Sequence, residues 1–270
     1  MEQFVSMFMS LLIFIVLACT ACFCAGVVPK DLFENYPTPY TKNNRIMGMI
    51  LSYNFDHIDP MMLILREYQS MCEGGWDPTL VFFSTIEWST QIRRLFRQKT
   101  YCYRTNSTIP IRVSVHDPSI STALGAQHRR YMQDYMNDYD IFVYHEDDIV
   151  FTHSHLVGYL YETKLLQKIM PEDGWWNHCI GFQRYRRLLR GGDIHGSHYG
   201  DQDIIEQDLL EEMPNFRPVC IANVPYLKVE GNIHQAMWVL TTTQINLLQE
   251  KCQFLNQSSA SRLVLLVFSV

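Results

Sequence analysis

The 270-residue chain carries a formal charge of −6, with 22 basic against 28 acidic residues, and 47% of it is hydrophobic. That balance excludes global disorder and argues against a nucleic-acid partner, which would call for a basic face. Basic residues cluster only locally, at Arg129-Arg130 and between Arg184 and Arg190, which leaves room for a small phosphate-bearing ligand.

Residues 1–26 are different in kind. From Phe4 to Ala25 there is no charged side chain, and the run is long enough to cross a bilayer as a helix. It reads as a signal-anchor or a cleaved signal peptide. The length and the absence of a basic start favour the anchor, whereas Ala18, Ala21 and Ala25 are the small residues that cleavage would use. Either delivers the remainder to the secretory pathway. Two sequons, Asn106-Ser107-Thr108 and Asn256-Gln257-Ser258, agree with that placement. Beyond the apolar segment stand Cys72, Cys102, Cys179, Cys220 and Cys252, with no C-x-x-C pair. One or two disulfides plus a free thiol are expected, with the pairing open, and a cysteine-built zinc site is not.

Residues 27–44, rich in Pro, Asn, Thr and Tyr, read as a stem. A domain follows over 45–255. Its first apolar run, RIMGMILSYNF at 45–55, has buried-strand length. Asp59-Pro60 reads as N-cap and first residue of a helix reaching Cys72, stopped by Gly74-Gly75. Strands are expected at 79–85, 109–116 and 139–150, and helices at 87–98, 124–137 and 153–170. Four alternations of strand and helix, with strands apolar on both faces, predict a mostly parallel sheet flanked by helices. The strand ends, Tyr53 to Asp56, Ser84-Thr85, His116-Asp117 and His145 to Asp148, are polar, and ligands of such sheets bind at those ends.

The second half is less regular. Strands are expected within 174–187, at 219–225 and at 236–243, a polar loop ending in an acidic helix at 191–212, and a helix at 244–254. The apolar tail at 256–270 is too short to span a membrane; it reads either as a terminal buried strand or as a truncated end.

Glu146-Asp147-Asp148 is the chief chemical signal. Three consecutive carboxylates after a buried strand repel one another and demand either solvent or a cation. Hard divalent ions such as Mg²⁺ and Mn²⁺ prefer carboxylate oxygen and keep positions open for phosphate. The ordinary alternative is an acidic turn at the start of the next helix.

The stretch Tyr139-Asp140-Ile141-Phe142-Val143-Tyr144-His145-Glu146-Asp147-Asp148-Ile149 resembles the acidic D-x-D or E-D-D signature of GT-A fold nucleotide-sugar glycosyltransferases, where it ends about the fourth strand of a Rossmann-like sheet. The helix beginning Leu124-Gly125-Ala126-Gln127-His128-Arg129-Arg130, and the stretch Glu230-Gly231-Asn232-Ile233-His234-Gln235-Ala236, are similar to the family's donor-side helix and to the approach to its acceptor-side strand. The resemblance implies a Golgi or endoplasmic reticulum membrane enzyme with a lumenal domain. It would use Mn²⁺ or Mg²⁺ and move a sugar from a nucleotide-sugar donor to a glycan or glycoprotein acceptor. It assigns Asp148 and Glu146 to the metal. Asp147 goes to the ribose or a metal-bound water, Tyr53, Asp56 and Asp117 to the nucleoside, and Arg129 to the donor phosphate.

Candidate bases are Glu230 and the acids of the HYGDQD loop, chiefly Asp203, with Asp201 beside it; a late metal ligand would come from His195, His198 or His234. Solvated helix face is the ordinary role for Arg129, turn starter before Pro118 for Asp117, and exposed loop acid for Glu230 and Asp203. Trp175, Trp176 and Trp238 would stack on a sugar or, more ordinarily, pack in the core. Two other readings remain. One is a catalytically inactive glycosyltransferase-like protein that binds nucleotide or sugar. The other is a metal-dependent phosphoesterase, for which His145, His153 and His155 lack the usual ligand spacing.

Overall fold

The computed structural model describes residues 44–53, 57–170, 174–175, 178–181, 186–189, 203–206, 215–221, 224–230, 237–255 and 264–267. The calls on residues 1–43 and 256–263, which include the apolar segment and the stem, lie outside them. The chain divides into two compact units: the larger runs from Val27 to Ile180 and takes in Ala236–Val264, and the smaller includes Gly181–Gln235 and Leu265–Val270.

The larger unit opens with β1 (Arg45–Leu51), α1 (Ile58–Glu73), β2 (Asp77–Ser84) and α2 (Thr90–Lys99). A short hairpin follows, β3 (Tyr101–Cys102) and β4 (Ser107–Thr108). Then come β5 (Ile111–Val115), α3 (Gln127–Tyr135), β6 (Ile141–Glu146) and α4 (His153–Ile169). Five strands form one sheet in the order β5-β2-β1-β6-β12, where β12 is Met237–Thr241. The first four are parallel, and β12 runs antiparallel to β6. The unit is therefore α/β, with a mixed, mostly parallel sheet.

Alternation along the strands distributes helices to both faces. Phe82 packs on Phe96 of α2 and His145 on Tyr68 of α1, whereas Phe83 meets Tyr131 and Tyr144 meets His128, both from α3. The core follows: from Ile46 to Ile50, Leu80 to Phe83 and Ile141 to Val143, every large apolar side chain is fully buried. Gly48 is required by closeness. A Cβ there would lie 2.5 Å from the Tyr68 hydroxyl and 2.8 Å from Leu80 Cδ2.

Helix ends depart from expectation in instructive ways. Helix α1 starts at Ile58, with His57 in the cap position and making no side-chain cap bond, so Asp59 and Pro60 lie inside its first turn. Asp59 still faces the helix dipole there. Residues 118–126 form a tight 3₁₀ stretch, and α3 begins only at Gln127. Helix α4 is capped by Thr152 in a reciprocal arrangement with His155. A similar box, Thr241 with Gln244, opens α5 (Thr242–Cys252), where the Gln244 carboxamide oxygen also accepts the Tyr159 hydroxyl at 2.6 Å.

Cys72 at the end of α1 and Cys102 in β3 form a disulfide, and Cys220 is disulfide-bonded as well. In the smaller unit, β8 (Arg186–Leu189) pairs antiparallel with β9 (Asp203–Glu206), and β10 (Asn215–Ile221) with β11 (Val224–Glu230). The single strand expected at 219–225 is thus the junction of a hairpin, which a continuous apolar run conceals. Asp203 and Glu230, read as loop acids, stand at strand ends; hydropathy masks this because β9 and β11 carry acids at their termini. The tail contributes β13 (Val264–Val267), antiparallel to β11.

Candidate functional site

The sheet reverses its winding direction between β1 and β6, since β2 and β5 extend to one side of β1 and β6 to the other. In open sheets of this kind ligands bind beyond the carboxyl ends of the strands that flank such a reversal, and here the helices that follow β1 and β6 touch one another through Trp76 and Glu67 of the α1 side and His153 of α4. Main-chain bonds carry the order of the sheet past the strands. Ser52 N–H donates to Phe83 C=O at 2.9 Å, His116 N–H to Ser84 C=O at 2.8 Å, and Asp147 N–H to Leu51 C=O at 3.0 Å. The acidic turn is therefore fastened to the end of β1.

Within that turn the three acids take three environments. Glu146 is half-buried and follows Tyr144 on the α3 face. Asp147 is buried, and its carboxylate meets the His57 imidazole at 2.7 Å. Asp148 is exposed. Ile149 N–H donates to Glu146 C=O at 3.1 Å and closes a tight turn. None of the acids caps α4, because Thr152 does. The turn thus concentrates negative charge without the capping role that would ordinarily explain it.

Electrostatic consequences reach the neighbouring rings. Burial, reinforced by the Glu146 charge, raises the hydroxyl pKa of Tyr53; burial, then Glu146 and Tyr53, raises that of Tyr144. Both phenols remain neutral donors beside the acids. His145 is wholly buried, with its pKa pushed down to about 4 chiefly by burial; its Nε2 lies 3.2 Å from the Tyr68 hydroxyl. It faces away from Tyr144 and belongs to the packed interior.

A row of aromatic rings lies on the α3 face beside the acidic turn. Tyr144 stacks on Trp238 of β12 with centroids 5.6 Å apart, and His128 touches both rings at 4.3 and 5.0 Å. Trp238 is thus engaged in ring packing. Phe254 continues the row at 6.4 Å, and the Arg129 guanidinium lies 5.3 Å over its ring. Burial lowers the Arg129 pKa, and its guanidinium over the Phe254 ring has cation–π geometry.

Of the remaining expected residues, Tyr53 stands near Glu146 and Tyr144, and the others are dispersed. Tyr53 is exposed at the end of β1, and its carbonyl accepts the Thr85 hydroxyl at 2.8 Å. Asp117 is exposed and caps the 3₁₀ stretch, accepting Ser119 N–H at 2.8 Å, and hydrogen bonding from the Ser119 side chain, then from its backbone, lowers the Asp117 pKa. Its turn-starting role is what the structure has. Asp203 opens β9 and Glu230 closes β11, in the smaller unit. Asp56, Asp201, His195, His198, His234 and Trp176 lie outside the described residues. His153 and His155 serve the start of α4, where Trp76 Nε1–H donates to His153 Nε2 at 3.2 Å.

The structure brings together Tyr53, Tyr144, Glu146, Asp147, Asp148 and the unforeseen His57. No spacing signals His57, since its partner lies 90 residues away. Among the described residues no group of three or more His, Cys, Asp or Glu is arranged to hold a metal by itself.

Fold and site define an α/β domain with an acidic turn where its sheet reverses. No family model, characterised protein or solved structure matches this chain.

Proposed function

We propose that the chain is a metal-dependent glycosyltransferase of the GT-A type, held in the Golgi or endoplasmic reticulum membrane by residues 1–26. It would move a sugar from a nucleotide-sugar donor to a glycan or glycoprotein acceptor. One observation carries the reading: Glu146, Asp147 and Asp148 end the strand beside which the sheet reverses, in a turn tied to the tip of β1.

The donor set fits Mn²⁺ or Mg²⁺ in a specific way. With Asp147 engaged by His57, the turn offers Glu146 and Asp148 as ligands. One or two carboxylates, completed by substrate phosphates and water, are what Mg²⁺ typically takes from a protein. When bound, the ion neutralises charge on the departing diphosphate. The chain's own groups supply the rest. Tyr53 and Tyr144 stay protonated beside Glu146 and present hydroxyls to the donor. Glu230 and Asp203 remain the candidate bases toward the acceptor hydroxyl, and Arg129, Asp117 and Asp56 the further donor contacts. The Cys72–Cys102 disulfide supports an oxidising compartment.

The test is nucleoside diphosphate binding by the full chain, with and without Mn²⁺. Binding should require the metal, and Asp148→Ala should remove it. Metal-independent binding, or affinity unchanged in Asp148→Ala, would discard the reading. Metal-dependent binding without transfer to any of a panel of acceptors would instead mark a nucleotide-sugar-binding protein that lacks turnover.

A further inference from the structure

Among the described residues Tyr103 is the most exposed of the large apolar side chains, at 76%. Burying such a ring is favourable, yet here it stands at the tip of the β3–β4 hairpin, away from the core. Tyr103 C=O accepts Asn106 N–H at 3.3 Å, so the turn brings residues 103 and 106 together across a single reverse turn. Asn106 is exposed and left-handed, at φ 52°, a conformation asparagine tolerates better than most residues. It is also the acceptor of Asn106-Ser107-Thr108, all three exposed.

The turn is firmly held. Glu73 accepts Tyr103 N–H at 2.5 Å and Arg104 N–H at 3.1 Å. The Arg104 guanidinium donates to Cys72 C=O at 2.6 Å and Trp76 C=O at 2.7 Å, and the Cys72–Cys102 disulfide closes the base. Tyr101 donates its hydroxyl to the Asn106 carboxamide oxygen and meets the Tyr103 ring edge-on at 5.2 Å. The engaged atom of Asn106 is thus its oxygen, not the nitrogen that sugar would occupy.

We infer that Asn106 carries an N-linked oligosaccharide whose first N-acetylglucosamine lies against the Tyr103 ring, so that sugar and ring cover one another. In the transfer, Asn106 Nδ2 bonds to C1 of the first sugar of a lipid-linked diphosphate oligosaccharide. The sugar–phosphate bond breaks, the lipid diphosphate leaves, and one amide proton is lost. The aliphatic face of the sugar then takes the ring's exposed surface. Little entropy is lost because the turn is already fixed. The inference goes beyond the transferase reading and needs only that the chain enter the secretory lumen.

The experiment uses the full chain made in a secretory cell line, with glycopeptide mapping and thermal unfolding before and after enzymatic removal of N-glycans. Asn106 should be modified, and removal should lower Tm by about 1–5 °C. In Tyr103→Ala that difference should vanish while Asn106 stays modified. A reading on the wild-type chain alone is the N-acetyl methyl proton resonance, which the ring should shift upfield. An unmodified Asn106, a chain recovered only outside secretory membranes, or a deglycosylation effect identical in Tyr103→Ala would overturn the inference, as would an unshifted methyl resonance.

Discussion

His145 and Glu146 are consecutive residues of β6, yet they belong to opposite regimes. His145 is sealed under α1, satisfied by Tyr68 and kept neutral by burial. Glu146 points to the other face at the strand's tip, where its charge reaches Tyr53 and Tyr144. The period-2 alternation of a strand makes such a change possible in one step. The interior of the sheet is specified by packing, its carboxyl edge by charge, and substitutions in the two regions should fail in different ways.

The largest expected effect lies in the interior. Phe82 is fully buried, 4.6 Å from the Trp88 ring and 5.7 Å from that of Phe96. Phe82→Ala should cost about 3–5 kcal/mol in urea unfolding, whatever happens at the acidic turn. Next is a pH effect. Burial, only partly offset by the bond to the Gly125 carbonyl, lowers His128 to about 3. The unfolded chain therefore binds a proton between about pH 6.5 and about pH 3 that the folded chain refuses, and stability is lost as pH falls through that window. At pH 5 the loss should be about 2 kcal/mol, and His128→Gln should shrink the difference between urea unfolding at pH 7 and at pH 5 by about that amount, leaving the comparable share that His145, lowered to about 4, contributes.

Tyr68→Phe, which leaves His145 Nε2 without its hydroxyl partner, should cost about 1–2 kcal/mol. The smallest effect on stability belongs to the edge. His57→Ala should change unfolding by about 0–1 kcal/mol, because the imidazole is half exposed and the pair with Asp147 is screened. If His57→Ala proves as costly as Phe82→Ala, the division between packed interior and charged edge is wrong.

Much of this was legible in the chain. Apolar runs at 45–55, 79–85 and 139–150 announced the buried strands found at 45–51, 77–84 and 141–146, and long periodic segments announced α1 and α4. The polar strand ends, with Glu146 to Asp148 foremost, marked the edge of the sheet that the acidic turn occupies. What escaped was set by distant partners. Hydropathy cannot show that β12 runs antiparallel beside β6, or that Asp147 meets an imidazole 90 residues away. Asp59 was misread as a cap because a good capping residue one position inside a helix looks the same as one at its start. Asp117 kept its local role because an Asp before Pro118 satisfies the turn from within its own neighbourhood. The contact of Arg129 with Phe254 escaped as well, because that ring comes from the far end of the domain.

The most direct measurement is the electron paramagnetic resonance signal of free Mn²⁺ titrated with the full chain, alone and with a nucleoside diphosphate. With the diphosphate present the free signal should fall well below that of a protein-free control. The full chain alone should leave it nearly unchanged, and the double variant Glu146→Ala, Asp148→Ala should leave it at the control level. Equal loss of signal with the wild-type chain and the double variant would contradict a cation site at the tip of β6.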